Sequence, residues 1–242
     1  MPGMYFWGWD PTYILVLIGA IISMIASANV KSTYNKYSRV RSMTGLTGAE
    51  AAQRILNSQG IYDVRIEHVS GQLTDHYDPR AHVLRLSDAT YASTSVAAVG
   101  VAAHECGHAV QHAQNYSPLS IRSALVPVAN IGSSLSWPLV LIGLLIGGSA
   151  SNVLIQAGIL LFVAVVLFQV VTLPVEFNAS RRGLRLLGEC GILYDQELPQ
   201  TRKVLKAAAL TYVAGVLASL LQLLRLLMIL SLLRSTIRPD IT

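Results

Sequence analysis

Long apolar runs alternate along this chain with shorter stretches of mixed polarity. Ile14 to Ala28 is the first run, Val128 to Gly147 and Val153 to Leu173 are the next two, and Leu205 to Leu233 is the last. About 20 apolar residues make a helix long enough to cross a hydrocarbon core of about 30 Å, so about four transmembrane helices are expected. The last run is long for one span and is interrupted by Gln222 and Arg225, which leaves open one tilted helix or two shorter pieces. An ionisable residue at that depth should face protein or a water-filled cavity. Gly148-Ser149-Ala150-Ser151-Asn152 carries no charge and is expected to form the turn of a membrane hairpin.

The mixed stretches read as a folded domain. Thr47-Gly48-Ala49-Glu50 is a capping box, and Ala51, Ala52, Ile55 and Leu56 form an apolar stripe, which predicts a helix from Gly48 to Ser58 stopped by Gly60. Val64, Ile66 and His68 alternate with charged neighbours. Residues 72–77 and 82–86 flank the turn-forming Asp78-Pro79-Arg80-Ala81, so a meander of two or three strands should follow. The Ala-rich run after Ser93 and Thr94, either of which can cap it, predicts a helix over 95–114. Residues 118–127, which include Arg122, then lead back to the membrane.

Composition agrees: 52% of the 242 residues are hydrophobic, 13% are charged and the mean hydropathy is +0.50, far too apolar for an ordinary soluble domain. Tyr5, Trp7, Trp9 and Tyr13 precede the first span as interfacial aromatics, and Lys31, Lys36, Arg39 and Arg41 follow it. Nine Lys/Arg fall between Lys31 and Arg122 and six between Arg181 and Lys206, out of 18. That asymmetry predicts an N-terminus outside and these two regions in the cytoplasm. Ala26-Ser27-Ala28 resembles a signal-peptidase site, but no basic n-region precedes it, and no cleavage is expected. A net charge of +5 and a pI near 9.4 come without a basic stripe interleaved with exposed aromatics, so nucleic acid is not an expected partner. The two cysteines, Cys106 and Cys190, make no disulfide framework and are expected to be reduced.

The candidate chemistry is His104-Glu105-Cys106-Gly107-His108. On a helix His104 and His108 share one face, about 6 Å apart in rise, and both imidazoles can reach one tetrahedral zinc. Glu105, beside them, suits the general base that takes a proton from water activated by zinc, which is the chemistry of peptide-bond hydrolysis. The plainer alternative is a core helix with hydrogen-bonded histidines, although two histidines and a glutamate are costly to bury unpaired. A catalytic zinc usually has three protein ligands. His112 is excluded from sharing it with His104 on an unbroken helix, being about 12 Å along the axis, and reads as a surface or substrate-side residue. Glu176 is the better third ligand, since the hairpin brings it back to the side of His104 and His108 and Pro174 lets a new helix start there. Its alternative is a solvated juxtamembrane charge. Asp75-His76-Tyr77-Asp78 reads as turn and strand-edge chemistry before it reads as a second metal cluster, and an edge strand carrying His76 and Tyr77 could pair with an extended peptide. Arg181 and Arg182 are interfacial anchors or substrate-holding cations. Cys106 is either a small buried residue or a redox-sensitive one.

H-E-C-G-H, Glu176 within P-V-E-F-N-A-S-R-R, G-L-T-G-A-E at Gly45 to Glu50, L-T-D-H-Y-D-P-R at Leu73 to Arg80 and L-S-D at Leu86 to Asp88 together resemble the bacterial YugP-like membrane zinc metallopeptidases. More distantly the chain is similar to HtpX-type and CAAX-processing gluzincins. The resemblance implies one Zn²⁺ per chain held by His104, His108 and Glu176, with Glu105 as catalytic base. Those families often carry an acidic residue where this chain has Asn178 or Ser180. The expected protein is a mainly α, multi-pass inner-membrane endopeptidase with a cytoplasmic gluzincin-like α+β domain and a small β-sheet. Its segments would be 1–30 with the first span, 31–127 with the H-E-x-x-H helix, 128–173 as the hairpin, 174–204 with the third ligand, and 205–242 as the C-terminal span and tail. A peptide or protein substrate, membrane-associated ones included, and the lipid bilayer are the expected partners. Two other classes stay in view: a site-two-type intramembrane protease, whose ligands would lie within spanning helices, and a catalytically idle zinc-binding scaffold.

Overall fold

The computed structural model describes residues 10–146 and 148–237. Among these residues the elements run, in order, α1 (Tyr13–Tyr37), α2 (Gly48–Ser58), β1 (Arg65–Val69), β2 (His76–Asp78), β3 (Val83–Ser87), α3 (Val96–Ala113), α4 (Ser117–Ile146), α5 (Gly148–Glu189) and α6 (Leu198–Ile237). The chain is mainly helical with one small sheet. Four stretches are long and apolar enough to cross a membrane: α1, α4, α5 from Ala150, and α6 as far as Leu232. Tyr5, Trp7 and Trp9 lie outside the described residues. The contacts divide into two compact units, one from the described parts of Met1–Ile25, Arg122–Val171 and Tyr212–Thr242, the other from Ala26–Ile121 and Thr172–Thr211.

In the first unit α4 and α5 are in backbone contact through glycine. A Cβ on Gly132 would stand 2.7 Å from the Leu161 carbonyl oxygen, and one on Gly158 2.7 Å from that of Ser136. Small residues let helix backbones approach where burial in lipid offers no hydrophobic drive. The expected turn over 148–152 is helical, because α5 already begins at Gly148 and the Ser151 hydroxyl donates to the Gly143 carbonyl at 2.6 Å. The 205–233 run lies within a single helix. Its Arg225 is buried, donates to Thr12 Oγ1 at 3.3 Å and to Asp10 Oδ2 at 3.4 Å, and stacks over the Tyr13 ring at 3.9 Å. The cation is thus enclosed by protein groups.

The second unit is built on α2 and α3. The capping box of α2 forms in both directions, with Thr47 Oγ1 accepting from Glu50 N–H and Glu50 accepting from Thr47 N–H. Ala51, Ala52, Ile55 and Leu56 are fully buried with Val99, Ala102, Ala103 and Cys106 of α3. Each large aliphatic side chain so buried contributes about 1.5–3 kcal/mol. The sheet has the order β1-β3-β2, with β1 parallel and β2 antiparallel to β3. A meander would put β2 in the middle. Instead the loop after β1 crosses the C-terminal end of β3, where Asp75 accepts from Ser87 N–H and Oγ–H, and Asp88 accepts from Gly71 N–H. The apolar β3 therefore sits centrally, with Val83, Leu84 and Leu86 buried. Arg85 pairs with Glu67 on one neighbour and Asp78 on the other, at 3.4 and 3.2 Å.

The start of α3 differs from the expectation by one or two residues. Ser42 N–H donates to the Thr94 carbonyl and Val96 N–H to that of Val40, so Thr94 is held extended and Ser95 caps the helix by accepting from Ala98 N–H. Residues 118–127 are not a connector, since α4 begins at Ser117 and continues through Pro127. Pro174 does not restart a helix either: α5 runs through it to Glu189. The missing N–H leaves one carbonyl of the ladder, that of Val170, without its usual donor, while Val175, Ala179, Leu186 and Leu187 beyond it are fully buried and keep the helix in place.

Also in this unit, the backbones of α3 and α5 approach closely. A Cβ on Gly107 would lie 2.3 Å from the Ala179 carbonyl oxygen, and one on Gly183 2.6 Å from that of Ala103. Two small residues four apart on α3, Ala103 and Gly107, face two four apart on α5, Ala179 and Gly183. Gly183→Ala is therefore expected to cost about 1–3 kcal/mol by forcing the backbones apart. Gly215→Ala, where a Cβ meets nothing within 4 Å, should be neutral or stabilise by up to about 1 kcal/mol. Thermal unfolding of both variants in detergent checks the contrast; equal effects would show that the α3–α5 contact has room to spare.

Candidate metal centre

The glycine-bare crossing brings three ligand-type side chains together. His104 and His108, one turn apart on α3, face Glu176 on α5, and one donor atom from each lies within 4.8 Å of the others. Glu176 Oε2 is 3.3 Å from His104 Nε2 and 3.5 Å from His108 Nε2. The imidazole rings are nearly perpendicular, at 83°, with centroids 4.8 Å apart. Four ligands held tetrahedrally at about 2.0–2.1 Å from zinc are spaced about 3.3–3.4 Å from one another, so both histidine–carboxylate edges have the size zinc requires. His108 and Glu176 are buried and His104 is half-buried. The donor set, two imidazoles and one carboxylate, leaves one tetrahedral position open and is typical of hydrolytic zinc.

The far ring nitrogens are also held. Gln111 Nε2–H donates to the Val175 carbonyl and to Asn178 Oδ1, both at 2.9 Å, which leaves Gln111 Oε1 as the acceptor 3.0 Å from His108 Nδ1. That network places a proton on His108 Nδ1 and turns Nε2 toward Glu176. His104 Nδ1 lies 3.0 Å from Ser180 Oγ, one turn beyond Glu176 on the same face of α5. A hydroxyl thus faces the His104 ring, and Asn178 serves His108 through Gln111. Burial alone would lower the His108 pKa, but the hydrogen bond to Glu176 and the charges of Glu105 and Glu176 outweigh it and hold the imidazole above its ordinary value. The pocket attracts positive charge, for which a proton and a divalent cation compete.

Glu105 is buried beside the histidines, and its Oε2 accepts from the Tyr77 backbone N–H at 3.0 Å. This bond ties the edge strand β2 to α3. The Tyr77 hydroxyl lies 2.9 Å from His112 Nδ1, and the His112 ring packs against His82 at 5.4 Å. Burial first, then the negative charges of Asp63 and Asp78, push the Tyr77 phenol up to about 12, so it stays neutral. Other candidates from the sequence lie elsewhere. His76 is exposed, with Nδ1 2.8 Å from the Thr74 carbonyl, and Arg181 is exposed and donates to its own helix at Phe177. Arg182 donates to Asn178 Oδ1 at 2.6 Å and also to Gln114, so it ties α5 to the end of α3. Asp78 accepts from Arg80 and Ala81 N–H, which is turn chemistry, and among the described residues no metal-ligating cluster includes Asp75 or His76. Cys106 is fully buried against the Ala52 carbonyl, and burial drives its thiol well above the ordinary value, so it is a packing residue.

Gln111 and Gly107 were not evident from the sequence, and Ser180 stood out there only as a position where related families often carry an acidic residue. Helical spacing is the signal that could have found two of them, since Gln111 is three beyond His108 and Ser180 four beyond Glu176. Gly107 carries no such signal, because what it avoids is the backbone of a distant helix.

Comparison with known proteins agrees with this geometry. Residues 12–231 match the family described as "Putative neutral zinc metallopeptidase". A relative from Bacillus subtilis (strain 168), "Putative membrane protease YugP", is 48% identical over 218 residues, which is 90% of this chain and 96% of the relative. No solved structure matches the chain. With nearly its whole length matched in both comparisons, the chain belongs to this family of neutral zinc metallopeptidases of the membrane.

Proposed function

We propose that the protein is a membrane-anchored zinc endopeptidase of gluzincin type, with His104, His108 and Glu176 as metal ligands and Glu105 as general base. The convergence of two imidazole nitrogens and one buried carboxylate oxygen within 4.8 Å, with both histidine–carboxylate edges near those of a zinc tetrahedron, carries this reading. Zinc at this position supplies a Lewis acid that polarises a carbonyl oxygen and makes water acidic enough to attack near neutral pH. Glu105 accepts the proton of the attacking water as oxygen bonds to the carbonyl carbon, and delivers it to the nitrogen as the C–N bond breaks. The Tyr77 N–H fixes the orientation of that carboxylate. The neutral Tyr77 phenol and His112, hydrogen-bonded to each other, suit hydrogen bonding to the substrate peptide. Arg182, spent on Asn178 and Gln114, is better suited to holding the two helices in register.

The site-two alternative needs all its ligands inside spanning helices; Glu176 lies on α5, one of the four stretches apolar enough to span, but α3, which holds both histidines, is not among them, so this reading is less well supported. The charge asymmetry of the sequence supports a cytoplasmic site and an outside N-terminus.

Glu105→Gln should keep zinc, measured by elemental analysis of the purified protein, and lower casein hydrolysis by about 10²–10⁴-fold. Loss of the metal in that variant would make Glu105 a ligand and overturn the assignment. Glu176→Ala should lose both zinc and activity, whereas His112→Ala should keep the metal; the opposite pair of results would remove Glu176 from the ligand set. For orientation, a membrane-impermeant maleimide on intact cells carrying a Cys190→Ser background should label Ala150→Cys and not Gln196→Cys. Reversal would place the metal centre outside.

A further inference from the structure

Away from the metal centre, α1 and α6 flank an open cavity of about 400 Å³ within the second unit, lined mostly by exposed residues. Its α1 wall presents Asn29, Thr33 and Lys36, spaced so that they share one helical face, with Ser32 beside them. Its α6 wall presents Lys203 and Lys206, and Leu210 one turn further on. Three lysines thus line one space. No carboxylate lines it, and among the described residues none of the three lysines has an ion pair; Lys36 has only the Tyr37 ring, at 5.5 Å. Like charges from two packed helices repel, and an anion between them removes that cost.

The other lining groups narrow the anion. The Ser32 and Thr33 hydroxyls and the Asn29 amide add neutral donors to three cationic ones, a set that suits the several oxygens of a phosphoryl group. Position narrows it further. Both walls belong to helices apolar enough to span a membrane, and the cavity lies where their apolar sequence meets the basic one: Lys31 and Lys36 end the first run on α1, and Lys203 and Lys206 begin the last on α6. Leu210, 40% exposed, continues the α6 wall as an apolar surface. A phosphate held here would have hydrocarbon surface directly beside it, as the headgroup of a phospholipid requires and a free phosphate does not.

We propose that this cavity binds the phosphate headgroup of an anionic phospholipid, clamped by Lys36, Lys203 and Lys206. The site is separate from the metal chemistry, since its lining shares no residue with the metal centre. The test is native mass spectrometry of the full-length protein released from nanodiscs of phosphatidylglycerol and phosphatidylcholine. Wild type should retain one phosphatidylglycerol per chain in preference to phosphatidylcholine. Lys36→Gln/Lys203→Gln/Lys206→Gln should lose that preference, roughly fivefold per lysine and so about a hundredfold in all. Arg54→Gln/Arg65→Gln/Arg80→Gln, which removes the same charge elsewhere, should keep it. Should the triple lysine variant fail to fold, the single variants carry the test, each losing roughly fivefold. Equal lipid retention by wild type and lysine variants overturns the proposal. So does a lysine-dependent stabilisation by inorganic phosphate without phosphatidylglycerol retention, which would assign the cavity to a soluble phosphoryl compound.

Discussion

The metal centre depends on two helix backbones touching. His104 and His108 come from one helix and Glu176 from another, 68 residues further along the chain. A carboxylate on one helix meets two imidazoles on another in a register set by how the helices pack, and a side chain in place of Gly107 or Gly183 would be an obstacle to this packing. Ala103 and Gly107 against Ala179 and Gly183 remove the obstacle, and the carbonyl of each alanine occupies the space that the facing glycine leaves. Burying three polar ligand groups is costly, and apolar packing of Val175, Ala179, Leu186 and Leu187 on one side and Val99, Ala102 and Cys106 on the other offsets it. The hydrogen bonds from Gln111 and Ser180 then fix which nitrogen of each ring points inward.

What the sequence disclosed and what it hid follow one rule. Features set by neighbours in the chain were legible: the capping box at Thr47 and Glu50, the α2 stripe, the apolar runs, and the His-Glu-x-x-His spacing. Glu176 could be named because a hairpin returns the chain and the surrounding residues resemble a known family. Features set by distant segments were not legible. The parallel pairing of β1 with β3 depends on Asp75 and Asp88 holding a crossing loop, and local alternation is the same in a meander. Ser93, Thr94 and Ser95 are chemically equivalent caps until residues 40–42 pair with the segment and leave Ser95 as the one in place. Pro174 reads as a break because its cost is local, while the packing that carries α5 through it is contributed by other elements.

The same rule separates the two kinds of charge in the chain. Arg225 is enclosed by Asp10, Thr12 and Tyr13, so its charge is answered inside the protein. Among the described residues, Lys36, Lys203 and Lys206 are not answered in this way. Counting basic residues by region treats these alike, and only the arrangement of partners tells a structural cation from one available to a ligand.

The bond between Tyr77 N–H and Glu105 has a further consequence, for solubility. The sheet ends in β2, a strand of three residues, and an open strand edge is a template on which a second chain can pair. Tyr77 is the residue whose amide turns away from β3 toward α3, and the carboxylate that serves as base in the proposed reaction is also the group that covers this edge. A side chain at position 105 that keeps an acceptor oxygen leaves the edge closed. A side chain without one frees the amide, so an alanine there would weaken the protein's resistance to self-association as well as its chemistry.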